Sequence, residues 1–454
     1  MTNTPELDSD PSTLSQPRGL YLLFGVEMWE RFSYYGMRAM LVLFLINGVS
    51  GFGYSKEDAT AVYKWYTTAV YITPVVGGYL ADRFWGIHRS ILIGSVLITA
   101  GHFSLALASR ASFFVGLVLI ALGTGCFKSN ISTLVGHLYS EGDRRRDAGF
   151  TIFYLGINLG ATIGQVVCGA LAGSPAFGYH VAFGAAGVGM VCGLVMYVAG
   201  RKRYLGSLGE TPARRSHDAA QAAIANAPLT KQDVHHLLTI LALAAFNVVF
   251  WMAFEQAGSS MNFFALERTN RVVFGFEIPT EWFQSVNTMV IISFGGLFSW
   301  LWVALNRRGL EPSTPAKMAW GLLLQAFGFL FMVAGARVSE GGHLASPAYL
   351  VLAYLLITWG ELCVSPVGLS MVTKLAPAKF ASLVMGFWFV TSALANFLAG
   401  LLAQFTEQVA SGKVFRVLGG QADFFLIFVF TSGVAGVLLL LVSRPLTKLM
   451  HGRA

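Results

Sequence analysis

The chain has few charged residues and few cysteines. Only 12% of its 454 residues are Asp, Glu, Lys or Arg, about half the share that a soluble protein of this size carries. Its four cysteines form no C-x-x-C pair, so we expect neither disulfides nor a metal site. Residues 1–17 contain no basic segment and no A-x-A cleavage site, so they predict a cytosolic tail and not a signal peptide.

Apolar residues, by contrast, are abundant: 55% of the chain is hydrophobic and its mean hydropathy is +0.61. Apolar runs recur along the chain, many of them reaching the ~20 residues that a helix needs to cross a bilayer. We therefore predict an all-α polytopic membrane protein. The twelve predicted spans cover residues 18–49, 56–82, 88–108, 112–139, 145–172, 179–199, 233–268, 280–306, 314–336, 346–376, 379–410 and 418–446.

A long polar insert at 200–232 separates the first six spans from the last six. Two six-helix halves joined by a basic central segment resemble the major facilitator fold, whose halves close around a site near the middle of the membrane. An Ala-rich run at 218–227 predicts a short surface helix within the insert. The predicted domains are a tail (1–17), an N-terminal bundle (18–199), a linker (200–232), a C-terminal bundle (233–446) and a second tail (447–454).

The basic residues are distributed unevenly between the two sides of the membrane. With the N-terminus placed in the cytoplasm, 20 of the 31 Lys and Arg residues lie on the cytoplasmic side and 7 on the outer side. This asymmetry predicts that both termini are cytoplasmic. We expect the membrane to be the plasma membrane, the inner one in a bacterium. The asymmetry also explains the net charge of +8 better than nucleic-acid binding does.

The first span carries a stripe of charge. Glu27, Glu30, Arg31, Tyr34 and Arg38 are three and four residues apart, so they share one face of a helix. A charge in the middle of a bilayer costs about 3 kcal/mol, so this face must contact protein or a water-filled cavity. One interpretation is an ion-pair network that only ties helices together. The other is a proton site, because carboxylate repulsion and a nearby arginine act on protonation in opposite directions.

A charged loop follows the second span. Asp82, Arg83 and Arg89 lie there, where their charges can pair across helix ends and nearby glycines permit close helix approach. The motif resembles the loop signature of the major facilitator superfamily, which implies a gating role. The alternative is that the arginines only anchor the cytoplasmic side of the spans.

Later spans contain isolated polar groups. Lys128 lies deep in the fourth span, where it can pair with a glutamate of the first span or with a ligand carboxylate. Tyr154 and Asn158 share a face of the fifth span and suit hydrogen bonding to a peptide amide, although helix packing alone would explain them.

Acids in the second half complete the pattern. Glu255 and Glu361 lie in the seventh and tenth predicted spans. If the two halves close on one cavity, Arg31 and Lys128 place positive charge on one side and Glu361 places negative charge opposite. The complementary ligand is a zwitterion, either a short peptide or a large amino acid, and electrostatics does not choose between them.

Three motifs together resemble the proton-dependent oligopeptide transporter family. They are Glu27-x-x-Glu30-Arg31-Phe-x-Tyr34-Tyr35-Gly36, the block from Asp143-Arg-Arg-Arg-Asp-Ala-Gly-Phe to Phe153-Tyr154-x-x-Ile157-Asn158-x-Gly160, and Phe254-Glu255-Gln256. The resemblance covers all twelve spans. It implies symport of di- and tripeptides with protons, which serve as the coupling ion without any cofactor.

The resemblance also implies roles for individual residues. The implied proton-coupling residues are Glu27, Glu30, Arg31 and Glu255. Lys128 is expected to help hold the peptide carboxylate, and Glu361 to receive the peptide amino terminus. The implied substrate-binding set is Arg31, Tyr35, Tyr71, Lys128, Tyr154, Asn158, Trp251, Asn287, Glu361, Ser365 and Trp388.

The sequence departs from the family pattern in several places, including the absence of two extra helices between the halves and Thr288 after Asn287 where proline is common. Ser129 follows Lys128 where proline is common in the family, which puts local helix bending in doubt. Some relatives couple protons through a histidine of the second helix, but residues 56–82 contain none. The protons must therefore travel by carboxylates in this chain.

Three other functions are alternatives to peptide symport. The same scaffold could carry another small anion, such as nitrate or an amino-acid conjugate, although Glu361 argues against a simple anion. A peptide sensor is disfavoured because the only sizeable soluble segment is the insert at 200–232. An enzyme is rejected, since the chain has no H-E-x-x-H or G-x-S-x-G motif. We expect the protein to function as a monomer in the lipid bilayer, with peptides and protons as its partners.

Overall fold

The structure is a computed structural model that describes residues 15–140, 143, 145–210, 229–377 and 381–452, with the side chains of 381 and 382 left aside. Its N-terminal part is helical almost throughout. The helices are α1 (Arg18–Ile46), α2 (Lys56–Leu80), α3 (Ile87–Ala106), α4 (Arg110–Gly136), α5 (Arg145–Ala172) and α6 (Gly178–Tyr204), with a π-helical segment at Ala81–Trp85.

The C-terminal part is also helical, apart from one short hairpin. Its helices are α7 (Lys231–Phe254), α8 (Ser260–Glu267), α9 (Trp282–Arg307), α10 (Thr314–Glu340), α11 (Ala348–Leu375), α12 (Ala381–Gln404), α13 (Thr406–Ala410) and α14 (Gln421–Leu449). A 3₁₀ segment at Glu255–Gly258 joins α7 to α8, and strands β1 (Val272–Val273) and β2 (Phe276–Glu277) pair antiparallel. The predicted all-α membrane class is confirmed.

Helix length and apolarity follow the predicted spans closely. Within the described residues, ten helical stretches are long and apolar enough to cross a membrane. Helices α1 and α2 are 29 and 25 residues long but carry more charge, and in α1 that charge is buried except at Arg18. The seventh predicted span is one stretch, Lys231–Glu267, interrupted by the 3₁₀ segment. The predicted surface helix at 218–227 and residues 1–14 of the predicted tail lie outside the described residues.

Contacts within the chain divide it into two compact units. Unit 1 comprises Met1–Phe52 and Ala69–His217, and unit 2 comprises Gly53–Thr68 and Asp218–Ala454. The start of α2 therefore belongs to unit 2, and the rest of α2 belongs to unit 1. The predicted boundaries at 199 and 233, which follow chain order alone, stay a prediction.

In unit 1, α1 packs against α5 and α6, and α3 packs against α4 and α6. Small residues bring α1 and α5 into backbone contact: a Cβ atom added at Gly160 would collide with the carbonyl oxygen of Met28, and one added at Gly164 with that of Phe32. Glycine at these positions lets the two helices approach more closely than any other residue permits. The core is apolar and includes Val26, which is fully buried.

In unit 2, α10 packs against α11 and α14, and α9 packs against α11. Helix α7 packs against α12 and α14. Aromatic rings fill the centre, where Phe329 stacks near Phe428 with ring centroids 5.0 Å apart. Pro366 lies inside α11, a position where the missing backbone donor weakens the helix and permits bending.

Candidate functional site

The charged stripe of α1 forms a compact ion group. The Arg31 Nε atom lies 2.7 Å from Glu27 Oε1 and 2.7 Å from Glu30 Oε2. Each of the three residues is at most 3% exposed. The i, i+3 and i+4 spacing places them side by side, as the sequence predicts. They face protein, so the stripe avoids the cost of charge in lipid.

This group leaves several buried polar atoms without hydrogen bonds. Nε of Arg31 donates to Glu27, but its contact with Glu30 lacks hydrogen-bond geometry. Among the described residues, both oxygens of Glu30, one oxygen of Glu27 and the Nη2 atom of Arg31 have no hydrogen-bond partner. A buried polar atom without a partner costs about 1–3 kcal/mol. A carboxylate of Glu27 or Glu30 therefore has an oxygen available for a proton. The Arg31 guanidinium has a donor available for a hydrogen-bond acceptor.

Lys128 of α4 is half-buried near this group. Its Nζ atom lies 4.5 Å from the centroid of the Tyr71 ring, an arrangement in which the aromatic face stabilises the cation. The charges of Glu27, Glu30 and Arg31 all act on it. Within the described part of the chain, however, Lys128 has no carboxylate within 4.0 Å. Its ammonium group is thus able to bind an anion.

Three further candidates of unit 1 lie on α1 and α5. Tyr35 stacks edge-on against Tyr34 with centroids 5.1 Å apart, and the Arg38 guanidinium lies 5.9 Å from its ring. Asn158 is buried and donates a 3.0 Å hydrogen bond to the carbonyl oxygen of Tyr154, whose side chain is 40% exposed. The Asn158 amide is therefore used within its own helix in this conformation.

The candidate gating residues lie together but do not pair. Asp82 and Arg83 belong to the π-helical segment, and Arg89 lies in the first turn of α3. All three are exposed, and the Arg83 guanidinium lies 5.6 Å from the centroid of the Phe84 ring. No ion pair within 4.0 Å joins them where the structure describes the chain. Their gating role stays a prediction.

Unit 2 contains a second buried polar group. Nδ2 of Asn287 on α9 donates to Oε2 of Glu361 at 2.8 Å and to Oγ1 of Thr358 at 3.0 Å. Glu361 is 7% exposed on α11. The sequence analysis missed Thr358, although it precedes Glu361 by three residues and so shares its face. The Glu361 carboxylate thus accepts a hydrogen bond from one neutral donor, the Asn287 amide.

Glu255 lies where the seventh span changes its helical geometry. It is 2% exposed and is the first residue of the 3₁₀ segment. Its neighbour Gln256 is buried, donates to the carbonyl oxygen of Ala399 at 3.0 Å and accepts from Ser260 at 2.7 Å. The change from α-helix to 3₁₀ helix therefore begins at Glu255, and the hydrogen bonds of Gln256 stabilise it.

The aromatic candidates of unit 2 are packed into the bundle. The Trp251 indole donates to Asn247 at 3.1 Å, and Asn247 in turn donates to Thr391 at 3.0 Å. Trp388 is 7% exposed, and Ser365 is half-buried. Asn247 was not predicted, because a single Asn in an apolar run does not indicate which residue its side chain will contact.

Lys64 is a further buried cation that the sequence analysis left without a role. It is 7% exposed and donates to Oε1 of Gln404 at 2.8 Å. Its Nζ atom also lies 5.1 Å from the centroid of the Phe397 ring. These contacts lie within unit 2 and are those of a satisfied structural cation. No cluster of three His, Cys, Asp or Glu side chains suited to a metal ion occurs among the described residues.

Comparisons with known proteins agree with this arrangement. The family model of the POT family matches residues 88–208 and 210–418. The peptide transporter YePEPT of Yersinia enterocolitica is 38% identical over 88% of this chain and 89% of its own length. A di-/tripeptide transporter of Lactococcus lactis is 34% identical over 97% of this chain and 98% of its own.

A solved structure is similar over almost the same length. The crystal structure of a peptide transporter POT in complex with sulfate has a TM-score of 0.86 and 34% identity, covering 97% of each chain. The fold is thus that of multi-pass membrane transporters of the major facilitator type. This chain belongs to the POT family, so the resemblance found in the sequence is confirmed.

Proposed function

We propose that this protein is a proton-coupled symporter that imports di- and tripeptides by alternating access. The observation that carries the proposal is the buried group of Glu27, Glu30 and Arg31, which has more charge than it can pair. Buried ionisable residues in membrane proteins commonly mark ion and substrate pathways. Membership of the POT family and the names of the two transporter relatives support the peptide substrate.

The cations of unit 1 are the proposed partners of the peptide carboxylate. The Nη2 atom of Arg31 has no acceptor within the described residues, and Lys128 has no carboxylate. A carboxylate suits both, since guanidinium and ammonium groups form strong charge-assisted hydrogen bonds. Tyr35, Tyr71 and Tyr154 are proposed to line the site.

Glu361 is the proposed partner of the peptide amino terminus. Among the described residues, its hydrogen-bond donor is the neutral Asn287 amide, so no cation of the protein occupies the carboxylate there. Trp251, Ser365 and Trp388 are proposed to contact the peptide, and Asn158 and Asn287 to stand beside its amino terminus. A carrier for a simple anion such as nitrate would not need a buried acid here, which disfavours that alternative.

The proposed coupling cycle exchanges partners around Arg31. Protonation of Glu27 or Glu30, and of Glu255, releases Arg31, which then binds the peptide together with Lys128. Loss of the protons to the cytoplasm restores the ion pairs of Arg31. A membrane potential of ~100 mV supplies ~2.3 kcal/mol per charge. Because ~1.4 kcal/mol corresponds to one decade, each proton supports a gradient somewhat above tenfold.

We further propose that the protein lies in the plasma membrane with both termini in the cytoplasm and works as a monomer. The 20-to-7 distribution of Lys and Arg supports this orientation. Asp82, Arg83 and Arg89 are the proposed gating residues on the cytoplasmic side. No cofactor other than the coupling protons enters the proposed cycle.

The proposal is tested in proteoliposomes with Glu30→Gln and Lys128→Ala. We expect both variants to lose proton-driven dipeptide accumulation, while Glu30→Gln retains counterflow of peptide against peptide, since counterflow needs no net proton movement. The matched controls are Glu57→Gln and Lys231→Ala, which alter the same residue types at exposed positions.

Two results would contradict the proposal. One is proton-driven accumulation by both Glu30→Gln and Lys128→Ala at the wild-type level. The other is uptake by the wild-type protein that does not change when the proton gradient is collapsed. Competition between dialanine and nitrate separates the peptide symporter from the anion carrier.

A further inference from the structure

A groove lies between α1 and α6 of unit 1, with a cavity volume of about 610 Å³. None of the residues proposed above for transport lines it. Its walls are apolar for most of its length, with Val195 of α6 60% exposed and Met196 37% exposed. Exposed apolar surface on a membrane helix faces lipid, so the occupant of this groove must have an apolar part.

Small residues of α6 make the groove. A Cβ atom added at Gly200 would lie 2.6 Å from Cδ1 of Leu22, and one added at Gly193 would lie 3.1 Å from Cβ of Trp29. The two helices therefore approach closely along this line. Ala199 has a small side chain and Gly200 has none, so the space beside the contact between the two helices stays open as the groove.

The length of the groove matches one leaflet of a bilayer. Its lining on α6 runs from Val191 to Tyr204, which corresponds to ~20 Å at ~1.5 Å per residue. One leaflet contributes ~15 Å to a hydrocarbon core of ~30 Å. The groove is thus long enough for an acyl chain together with the start of its headgroup.

Positive charge marks one end of the groove. Helix α6 ends with Arg201, Lys202 and Arg203, and Arg203 and Tyr204 line the groove there. Arg201 is engaged by Glu210 at 3.3 Å. Arg203 has no carboxylate within 4.0 Å in the described part of the chain, and its guanidinium lies 5.4 Å from the Tyr204 ring. The groove lining contains no acidic residue.

We propose that the groove between α1 and α6 binds one anionic phospholipid. The headgroup phosphate contacts the Arg203 guanidinium, whose planar fork of donors suits phosphate oxygens. One acyl chain lies along the wall formed by Val191, Val195 and Ala199. Basic residues at the end of a membrane helix favour anionic headgroups over zwitterionic ones. The site does not depend on the transport function proposed above.

The headgroup contact is tested by native mass spectrometry of the detergent-purified protein titrated with phosphatidylglycerol or phosphatidylcholine. We expect phosphatidylglycerol to bind more tightly, and Arg203→Gln to weaken it about five-fold, the effect of one basic residue near an anionic lipid. Lys202→Gln is the matched control, because Lys202 is exposed beside Arg203 but does not line the groove.

The acyl contact is tested by filling the groove. We expect Ala199→Trp to abolish the lipid adduct, whereas Val198→Trp, at a 55% exposed position outside the groove, retains it. Thermal melting of both variants reports whether they fold. If Ala199→Trp does not fold, the comparison of Arg203→Gln with Lys202→Gln tests the proposal by itself. Three results would overturn the proposal. The first is equal binding of the two lipids, and the second is equal lipid affinity of Arg203→Gln and Lys202→Gln. The third is a lipid adduct of folded Ala199→Trp at the wild-type level.

Discussion

Unit 1 and unit 2 each bury a polar group, and the two groups balance charge in different ways. In unit 1, two carboxylates share one guanidinium, and the ammonium of Lys128 lies nearby on an aromatic face. In unit 2, the carboxylate of Glu361 is held by the neutral amide of Asn287. The first group contains its own counterion, whereas the hydrogen bond that Glu361 accepts among the described residues comes from a neutral amide.

The difference indicates which proton or ligand charge each group requires in order to change its state. A proton bound by Glu27 or Glu30 changes the charge of the Glu27–Glu30–Arg31 group, and Arg31 can then pair with the other carboxylate, so a proton alone is enough to rearrange it. Glu361 gains a counterion only from a ligand cation or loses its charge to a proton. The first group therefore suits energy coupling and the second suits substrate recognition.

The largest effect should follow the substitution Arg31→Gln. It leaves two carboxylates buried without their cation, and breaking a buried ion pair in this way costs about 3–5 kcal/mol. We expect no peptide uptake and a markedly lower Tm. Because protonation removes the repulsion between the carboxylates, the loss in Tm should be smaller at pH 5 than at pH 8.

Arg18→Gln, at an exposed position at the start of α1, is the control for this measurement. The interpretation fails if Arg31→Gln melts at the same temperature as the wild-type protein at both pH values. In that case the ion group would contribute neither stability nor coupling.

A smaller effect, confined to recognition, is expected for Glu361→Gln. The glutamine keeps an oxygen for the Asn287 donor but loses the charge offered to an amino terminus. A hydrogen bond to a charged group contributes about 1.5–3 kcal/mol, so affinity for a free dipeptide should fall roughly ten- to hundredfold.

An N-acetylated dipeptide provides the comparison, since it has no amino-terminal charge for Glu361 to bind. Competition assays with the free and acetylated peptides should show the loss for the free peptide alone. Equal losses for both would assign Glu361 a structural role instead of charge recognition.

The smallest effect concerns an ion pair nearer to water, between Glu311 and Lys317. The side-chain hydrogen bond from Lys317, joined by one from Asn306, holds the pKa of Glu311 below its usual value of 4.5. This contribution to stability is present above pH 4.5 and is lost as pH falls through the lowered pKa of the folded state.

Glu311→Gln should therefore lower stability by about 1 kcal/mol at neutral pH and by less below pH 4.5. Melting curves from pH 3 to pH 7 measure the difference between variant and wild type. A difference that grew on acidification would contradict the assignment, because protonated Glu311 resembles glutamine.

The α1 group was predictable because its geometry is local. Residues three and four apart on a helix must be neighbours, so the contacts of Arg31 with Glu27 and Glu30 follow from spacing alone. The contact between Asn287 and Glu361 joins residues 74 positions apart, and only the family resemblance brought them into one set. Thr358 was missed because threonine in a helix commonly bonds to its own backbone, as it does here to Tyr354.

Fold prediction had a similar limit. The apolar runs predicted where helices lie, since bilayer-spanning segments must satisfy their backbone groups internally. They did not predict the 3₁₀ segment at Glu255–Gly258, which interrupts an apolar run without proline. Its tertiary hydrogen bond from Gln256 to Ala399 is invisible in the sequence.

The backbone contact of α1 with α5 at Gly160 and Gly164 has a mechanical consequence. Any larger residue at either position would force α1 away from α5 and displace the backbone that carries Arg31. Side-chain rotamers change within picoseconds to nanoseconds, whereas collective helix movements take microseconds to milliseconds. A change of partner at Arg31 that needs only side-chain rotation is therefore faster than any collective movement of the bundle.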